Sequence, residues 1–243
     1  MYAKLEKNCK IAVSRTAADG RVSLPGIFSL FMDLASEHGS EIGLGMDTLA
    51  AHGLIWLAIR TKVKINSRPA MFAPVTLSTW PREPGRARCD RYYSMSQEGN
   101  LLIEAKNEWA MLEPATGRLR RITDVYPRQL NHCPDTVCDV PYHKVSDDFA
   151  GCEKLGEYTV TSSDTDTSRH MNNVQYVRAA FGMFTNRQLE AMDIAEVEIA
   201  YRLQCFEGET LSLYRREAEN GFDIGIIKED GKTAATLRVL FRQ

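Results

Sequence analysis

Residues 25–42 read PGIFSLFMDLASEHGSEI, and this stretch decides the first half of the fold. Its apolar side chains recur every three to four residues, which places them on one face of a helix. They are Ile27, Leu30, Phe31, Leu34 and Ala35. Pro25 suits the first turn, because its missing N–H would have no partner there in any case. Glycines at 43 and 45 end the pattern, so we predict an amphipathic helix that must bury one face.

A second stretch of the same kind lies in the other half of the chain. Residues 172–184 read NNVQYVRAAFGMF, in which Val174, Val177, Phe181 and Phe184 keep helical spacing. Asn172 is suited to cap the start of this helix. Both helices follow a short strand and a loop, and both precede a run of strands, so the sequence contains an internal repeat.

Alternating apolar residues and turn signals predict five strands in each half. In the first half they are expected at 9–14, 54–65, 74–80, 88–97 and 101–112. In the second half they are expected at 158–162, 196–205, 209–217, 221–228 and 233–242.

An antiparallel sheet with one apolar face needs a layer that covers that face. Wrapping each sheet round its helix provides the layer, which predicts an α+β double hotdog: two tandem repeats that form one continuous sheet. We place the first repeat at 1–122, a proline-containing linker at 123–157 and the second repeat at 158–243. Two α+β domains packed in another way are the alternative.

Composition indicates an ordinary globular protein of 243 residues, with 44% hydrophobic and 26% charged residues. The apolar runs are too short to span a membrane, and the first residues lack a signal-like apolar region, so we expect a cytoplasmic protein. The cysteines are scattered, which argues against disulfides. The group His132, Cys133, Cys138 and His143 lacks the usual zinc spacing, and we expect no metal.

The net charge of -2 hides an uneven distribution. Residues 1–125 contain 17 basic and 13 acidic side chains, whereas residues 126–243 contain 13 and 19. A nucleic-acid-binding protein would be basic overall, so the basic half favours an acidic protein partner or a phosphate-bearing ligand. The local basic groups are Arg60, Lys62, Lys64 and Arg68, then Arg82, Arg86, Arg88 and Arg91, then Arg118, Arg120 and Arg121.

Residues 162–176, SSDTDTSRHMNNVQY, concentrate chemically useful side chains just before the second helix. A carboxylate and an imidazole at a helix N-terminus are suited to acid–base work, and the free N–H groups there can hold an oxyanion. The run also imitates the start of a calcium loop. Arg169 and Gln175 stand where such a loop needs Gly and Glu, which excludes calcium.

The run from Asp164 to Tyr176 resembles the D-x-D-x-N-x-H-V-N-N-x-x-Y signature of the acyl-acyl-carrier-protein thioesterases. Residues 200–205, AYRLQC, are similar to the E-Y-R-R-E-C segment of that family. The resemblance implies hydrolysis of the thioester between a fatty acyl chain and the phosphopantetheine arm of acyl carrier protein. It implies no cofactor, no nucleic acid and no membrane, in a monomeric pseudo-dimer or a homodimer.

By position, Asp166 matches the proposed catalytic Asp and His170 the catalytic His of that family. We expect Asp166 to be nucleophile or general base and His170 to orient the thioester or protonate the departing thiolate. Ser168 stands in place of an Asn, and Gln204 in place of a Glu. Both can position water or substrate by hydrogen bonds, but Gln204 has no basic group.

Backbone N–H groups near Asn172 and Asn173 are expected to hold the oxyanion. Cys205 matches a Cys once regarded as the nucleophile, but a small buried strand residue is the favoured interpretation. In the first helix, Glu37 and His38 are possible contributors to the site and are expected instead at the surface.

The resemblance assigns the acyl-chain pocket to the first repeat, where Phe28, Phe31, Met32, Trp56 and Leu57 are candidates for its lining. For each of these residues taken singly, a place in the hydrophobic core is the favoured interpretation. The basic side chains of that half are candidates for docking acidic acyl carrier protein. Two alternatives stay open. One is an acyl-CoA thioesterase or another hotdog enzyme, and the other is a non-catalytic acyl-binding module, which Ser168 and Gln204 favour.

Overall fold

The computed structural model describes residues 3–127 and 129–243, which form two compact units that divide between Val140 and Pro141. Met1 and Tyr2, where the predicted first repeat begins, lie outside the described residues, as does Arg128 in the predicted linker. We call residues up to Val140 unit 1 and residues from Pro141 unit 2. Within the described residues, no helix is long and apolar enough to cross a membrane.

Unit 1 is an antiparallel sheet with one long helix. Its elements are β1 (Leu5–Lys10), α1 (Leu24–Glu41), α2 (Met46–Ala51), β2 (Ile55–Ile65), β3 (Pro74–Pro81), β4 (Cys89–Gln97), β5 (Asn100–Glu113) and β6 (Arg118–Arg120). The strands of the sheet lie in the order β1-β3-β4-β5-β2, and the short β6 pairs with β5.

The predicted first helix is confirmed as α1. The Ser23 Oγ accepts a hydrogen bond from the Gly26 N–H at 3.0 Å, which satisfies one of the donors at the helix start. The apolar face is buried along its length, including Ile27, Phe31 and Leu34, and α1 packs on β3. Burial of this face is the main stabilisation of the helix, since isolated helices of this length are marginal in water.

Unit 2 repeats this plan with a shorter helix. Its elements are β7 (Glu153–Thr159), α3 (Asn173–Phe181), α4 (Asn186–Ala191), β8 (Ile194–Tyr201), β9 (Thr210–Ala218), β10 (Gly221–Lys228) and β11 (Thr233–Phe241). The strand order is β8-β11-β10-β9-β7, and α3 packs on β10. The prediction of two repeats, each a sheet with a helix, is confirmed.

Several predicted bounds are wrong, and the errors concentrate on edge strands. The strand predicted at 9–14 overlaps β1 only at its last two residues, because Val13–Arg15 forms a 3-10 turn. The strand predicted at 158–162 likewise overlaps only the end of β7. Both strands are largely exposed, so their apolar alternation is weak. The short elements α2, α4 and β6 were not predicted.

The predicted linker packs against the unit to which each part belongs. In unit 1, the Trp80 indole donates to the Asp135 carbonyl at 2.9 Å. In unit 2, Phe149 lies on the sheet over Gly225, where a Cβ atom would come within 2.4 Å of the Phe149 ring. Gly225 therefore makes room for the linker to lie on β10.

Candidate active site

The polar loop of unit 2 begins with a buried carboxylate, that of Asp164. Its Oδ1 accepts from the Tyr158 hydroxyl at 2.8 Å, and its Oδ2 accepts from the Thr161 N–H and hydroxyl at 2.8 and 2.7 Å. Burial alone would raise the pKa of Asp164, but these hydrogen bonds outweigh it and lower the pKa. Asp164 therefore holds the loop together and is fully occupied in doing so.

Asp166, two residues later, is exposed. Its Oδ1 accepts from the Ser168 N–H at 2.8 Å, and its own N–H donates to the His170 carbonyl at 3.0 Å. Arg169, with a φ of 60°, lets the chain turn back between the two. The predicted catalytic pair of Asp166 and His170 thus stands at the two ends of one tight turn.

The His170 ring is half-buried and packs edge-on against Phe206, with ring centroids 5.1 Å apart. The next residue, Met171, donates its N–H to the Cys205 carbonyl at 2.8 Å. These two contacts bring the loop beside residues 202–206, where the predicted Gln204 lies. The structure therefore brings together the two sequence segments that carry the predicted site.

Asn172 and Asn173 have different roles at the start of α3. Asn172 is the N-cap: its Oδ1 accepts from the Val174 N–H at 3.0 Å, and its own N–H donates to the Asp164 carbonyl at 2.8 Å. The Asn173 N–H forms no hydrogen bond with any described residue. Of the two predicted oxyanion donors, only the Asn173 amide is available to a ligand.

Gln204 is half-buried, and its position is fixed through its backbone. The Lys228 ammonium donates to the Gln204 carbonyl at 3.0 Å and pairs with Glu209 at 2.9 Å. The same ammonium lies 5.7 Å from the centroid of the Phe206 ring. Lys228, Glu209 and Phe206 were not predicted from the sequence; only Phe206, directly after the AYRLQC segment, carried a signal by its position.

Cys205 is fully buried. Its N–H donates to the Tyr176 hydroxyl at 3.1 Å, and burial raises the pKa of its thiol. A buried thiol that resists ionisation is a poor nucleophile. These surroundings support the interpretation of Cys205 as a small buried structural residue. It does not lie in a strand, however, because the strand predicted at 196–205 ends at Tyr201.

The two candidates on α1 have opposite environments. Glu37 is exposed and pairs with Lys7 at 2.7 Å. His38 is only 3% exposed, so the expectation that it lies at the surface is wrong. It stands seven residues after Phe31 and four after Leu34, on the buried face of the helix. The Arg91 guanidinium donates to its Nδ1 at 2.9 Å.

The four residues His132, Cys133, Cys138 and His143, for which we expect no metal, form separate contacts. His132 stacks on Tyr126 with ring centroids 5.7 Å apart, and Cys133 packs in an apolar cluster with Trp80. The Cys138 N–H donates to a Glu104 carboxylate at 2.7 Å. The fourth residue, His143, belongs to unit 2.

His143 lies instead with two glutamates of β8. Its Nε2 is 2.8 Å from Glu196, and its backbone N–H is 3.0 Å from both carboxylate oxygens of Glu198. One ligand atom from each of the three lies within 4.8 Å of the others. These hydrogen bonds explain the cluster, and the absence of a metal stays a prediction.

Comparison with known proteins assigns the family. The family model of the acyl-ACP thioesterase N-terminal domain matches residues 3–129, and that of the C-terminal domain matches residues 151–243. This chain belongs to the acyl-ACP thioesterase family. The resemblance drawn from residues 164–176 and 200–205 is therefore confirmed.

Curated acyl-ACP thioesterases of plants are similar over most of this chain. An acyl-[acyl-carrier-protein] hydrolase of Cuphea viscosissima is 25% identical over 90% of the chain and 59% of its own length. A palmitoyl-acyl carrier protein thioesterase of Cuphea hookeriana is 26% identical over 82% of the chain and 51% of its own length. The chain thus spans between half and three-fifths of the length of these relatives.

Solved structures show the fold of the acyl-ACP thioesterases. An acyl-ACP thioesterase from Bacteroides thetaiotaomicron aligns with a TM-score of 0.84 at 20% identity, over 99% of this chain and 98% of that one. The 12:0-ACP thioesterase from Umbellularia californica aligns with a TM-score of 0.82 at 17% identity, over 100% and 98%. The fold is a double hotdog, as predicted.

The basic residues that the sequence singled out in the first half of the chain divide into two groups. The residues of the first group form ion pairs or hydrogen bonds within unit 1 or are buried there. Arg60 and Arg88 both pair with Glu108, at 2.9 and 2.6 Å. Arg82 donates to backbone carbonyls of the linker, and Arg91 is buried. Arg82 and Arg91 are thus unsuited to dock a partner.

Three more of the predicted basic residues are also engaged within unit 1: Lys62 is buried, Lys64 pairs with Glu104 at 3.2 Å and Arg68 pairs with Asp19. The other four lie near the end of β5. Arg86, Arg118, Arg120 and Arg121 are exposed, and we call them the β6 basic patch. β6 pairs with the end of β5, and the Ile122 N–H donates to the Arg86 carbonyl at 3.1 Å, which brings both segments together. Arg120 is 3.7 Å from Glu113, a weak exposed pair.

Proposed function

We propose that this chain hydrolyses the thioester of fatty acyl-acyl carrier protein and releases the free fatty acid. The observation that carries the proposal is the turn from Asp166 to His170 at the start of α3. The turn presents an exposed carboxylate, a half-buried imidazole and the unbonded Asn173 N–H on one short segment. These are the parts that acyl transfer to water requires.

Asp166 is the group that we assign to activation of water. The Ser168 N–H holds its Oδ1, which leaves Oδ2 to take a proton from a water molecule as that water attacks the thioester carbonyl. Direct attack by Oδ2 is the other route open to the same residue; it gives a mixed anhydride that water then cleaves. Both routes yield fatty acid and free phosphopantetheine thiol.

His170 is the group that we assign to the leaving sulfur. As the carbon–sulfur bond breaks, the imidazole gives its proton to the departing thiolate. The Asn173 N–H, at the positive end of α3, stabilises the negative charge on the carbonyl oxygen. Ser168 and Gln204 position water or substrate by hydrogen bonds, since neither carries a group that would serve as a base.

Acyl carrier protein is the proposed partner, and the β6 basic patch is its proposed docking site. Unit 1 is proposed to receive the acyl chain and unit 2 to carry the chemistry. The cytoplasmic location and the monomeric or homodimeric state stay predictions.

The test is steady-state hydrolysis of one long-chain acyl group presented in parallel on acyl carrier protein and on CoA. A clear preference for the carrier-protein substrate in kcat/KM is expected. Preference for CoA would make the chain an acyl-CoA thioesterase. Binding of the acyl group without turnover of either substrate would make it a non-catalytic acyl-binding module, the function that Ser168 and Gln204 favour.

A further inference from the structure

The interior of unit 1 contains an arginine with no carboxylate partner. Arg91, on β4, is 8% exposed and forms no ion pair with any described residue. Its Nη1 donates to His38 Nδ1 at 2.9 Å and to the Thr79 hydroxyl at 3.2 Å. The Nε and Nη2 donors form no hydrogen bond within the described chain. A buried cation of this kind is costly unless an anion or several acceptors meet it.

His38 does not neutralise this charge. Arginine has only donors, so His38 Nδ1 must be the acceptor and the ring proton must lie on Nε2. Burial, and then the charge of Arg91, lowers the pKa of His38 to about 4, which keeps the ring neutral. Arg91 is therefore a full positive charge among neutral neighbours.

Further buried polar atoms lie in the same part of unit 1. The hydroxyls of Tyr93 and Tyr126 and the indole nitrogen of Trp109 are buried and form no well-aligned hydrogen bond. Tyr93 follows Arg91 by two residues on β4, so both side chains lie on the same face of the sheet. The Trp109 indole neighbours the Tyr93 hydroxyl, and the Cys89 thiol neighbours the Tyr126 hydroxyl. This region thus has several donors without a well-aligned acceptor.

The same region adjoins the predicted acyl pocket. Phe31 of α1 stacks on Tyr93 with ring centroids 5.1 Å apart. Trp56 packs edge-on against Trp109, at 6.1 Å. Phe31 and Trp56 are two of the candidates for the lining of the pocket. The predicted lining therefore adjoins polar atoms without well-aligned acceptors.

We propose that unit 1 selects acyl chains whose far end carries oxygen, foremost a terminal carboxylate. Arg91 binds that carboxylate, because a guanidinium matches its geometry with two parallel hydrogen bonds. Tyr93, Tyr126 and the Trp109 indole donate to the remaining lone pairs. The inference rests on the proposed function, since it assigns the acyl chain of that substrate to unit 1.

The test compares acyl carrier proteins loaded with chains of equal length. One chain is saturated and plain, one ends in a hydroxyl and one ends in a carboxylate. The wild type is expected to prefer the carboxylate-ended chain over the plain chain by about tenfold in kcat/KM, the effect of one charge-assisted contact.

Tyr93→Phe removes only a hydroxyl that has no partner in the free protein and keeps the ring that stacks on Phe31. It is expected to lower the carboxylate-to-plain ratio of kcat/KM several-fold, and Arg91→Met is expected to abolish the preference. Tyr92→Phe is the matched control, because Tyr92 packs edge-on with Trp80 in another cluster. It should leave the ratio unchanged.

The inference would be overturned if the wild type preferred the plain chain and Tyr93→Phe left the carboxylate-to-plain ratio of kcat/KM unchanged. The cluster would then be purely structural. If no acyl carrier protein substrate is hydrolysed, the proposed function fails, and binding then decides the inference. Calorimetry would compare a free dicarboxylic acid with the monocarboxylic acid of equal length, on the wild type and Tyr93→Phe. Selective binding of the dicarboxylic acid that Tyr93→Phe weakens supports the site; equal or no binding overturns it.

Discussion

Asp164 and Asp166 stand two residues apart in one loop, yet only Asp166 has a carboxylate oxygen available to substrate. We therefore expect Asp166→Asn to lower kcat/KM for acyl-acyl carrier protein by about 10²- to 10⁴-fold, the range of a lost general base. The amide oxygen still accepts from the Ser168 N–H, so the free energy of unfolding should change little. Steady-state kinetics and denaturant titration measure the two effects. A variant within threefold of the wild type would remove Asp166 from the mechanism.

For Asp164→Ala we expect the main effect on the free energy of unfolding, which should fall. The substitution leaves the Tyr158 hydroxyl and the Thr161 donors without their acceptor, which costs about 2–4 kcal/mol. Because the folded pKa is below the usual 3.8, this stabilisation is present above that pH and is lost as the pH falls further. Denaturant titration at neutral pH and near pH 3 measures the difference from the wild type. A constant difference would contradict the role of the ionised carboxylate.

Cys205→Ala should leave hydrolysis nearly unchanged. The variant keeps the backbone bonds to Tyr176 and Met171 and removes only a buried sulfur, at a cost of about 1 kcal/mol. The half-buried Cys152 offers a matched control for loss of a thiol. Steady-state kinetics on the two purified variants measure their rates of hydrolysis. A folded Cys205→Ala protein without turnover, beside an active Cys152→Ala protein, would restore a thiol mechanism.

At the scale of the element, α1 contains a histidine that must stay neutral. Its pKa of about 4 lies below the ordinary 6.5. The unfolded chain therefore binds a proton that the folded chain does not, and the stability contributed by neutral His38 is lost as the pH falls from about 6.5 to 4. The shift corresponds to about 3 kcal/mol at the acid end of this window.

The measurement is the free energy of unfolding at pH 7 and pH 4.5, for the wild type and His38→Asn. The Asn amide oxygen still accepts from Arg91 but does not titrate. The variant should lose less stability than the wild type over this range. Equal losses would mean that His38 titrates in the folded protein much as it does in the unfolded chain.

The sequence predicted those elements whose signals lie within one short segment. Residues 25–42 carry a proline in the first turn and a full helical period, and α1 appears with nearly these bounds. The edge strands β1 and β7 bury few side chains, so they offer no alternation to detect. The surface position predicted for His38 was wrong, because a polar residue is not expected on the apolar face of a helix.

The candidate site follows the same rule. Asp166, Ser168 and His170 stand in one short motif, so the turn that joins them was visible in the sequence. Lys228 lies on β10. Its contact with the Gln204 carbonyl depends on the antiparallel pairing of β10 with β9 and β11, which no local pattern predicts. The Arg91 cluster joins α1, β3 and β4, and no local pattern predicts such a contact.

At the scale of the whole molecule, charge divides the chain into a basic and an acidic half. Acyl carrier protein, the proposed partner, is acidic, so we expect exposed arginines to steer it and hold it by interactions that salt weakens. The β6 basic patch is the part of these basic groups that we propose for docking, since Arg82 donates to linker carbonyls and Arg91 is buried.

Arg121→Glu should raise KM for the carrier-protein substrate several-fold and leave KM for the same acyl group on CoA unchanged. CoA carries the thioester without the acidic protein, so it lacks the surface that Arg121 would meet. Arg187→Glu, on the exposed helix α4 of unit 2, changes the net charge equally and should affect neither substrate. The difference between the two variants should shrink as salt rises, because screening shortens the reach of each charge. Equal KM changes on both substrates, or the same effect from Arg187→Glu, would place docking elsewhere.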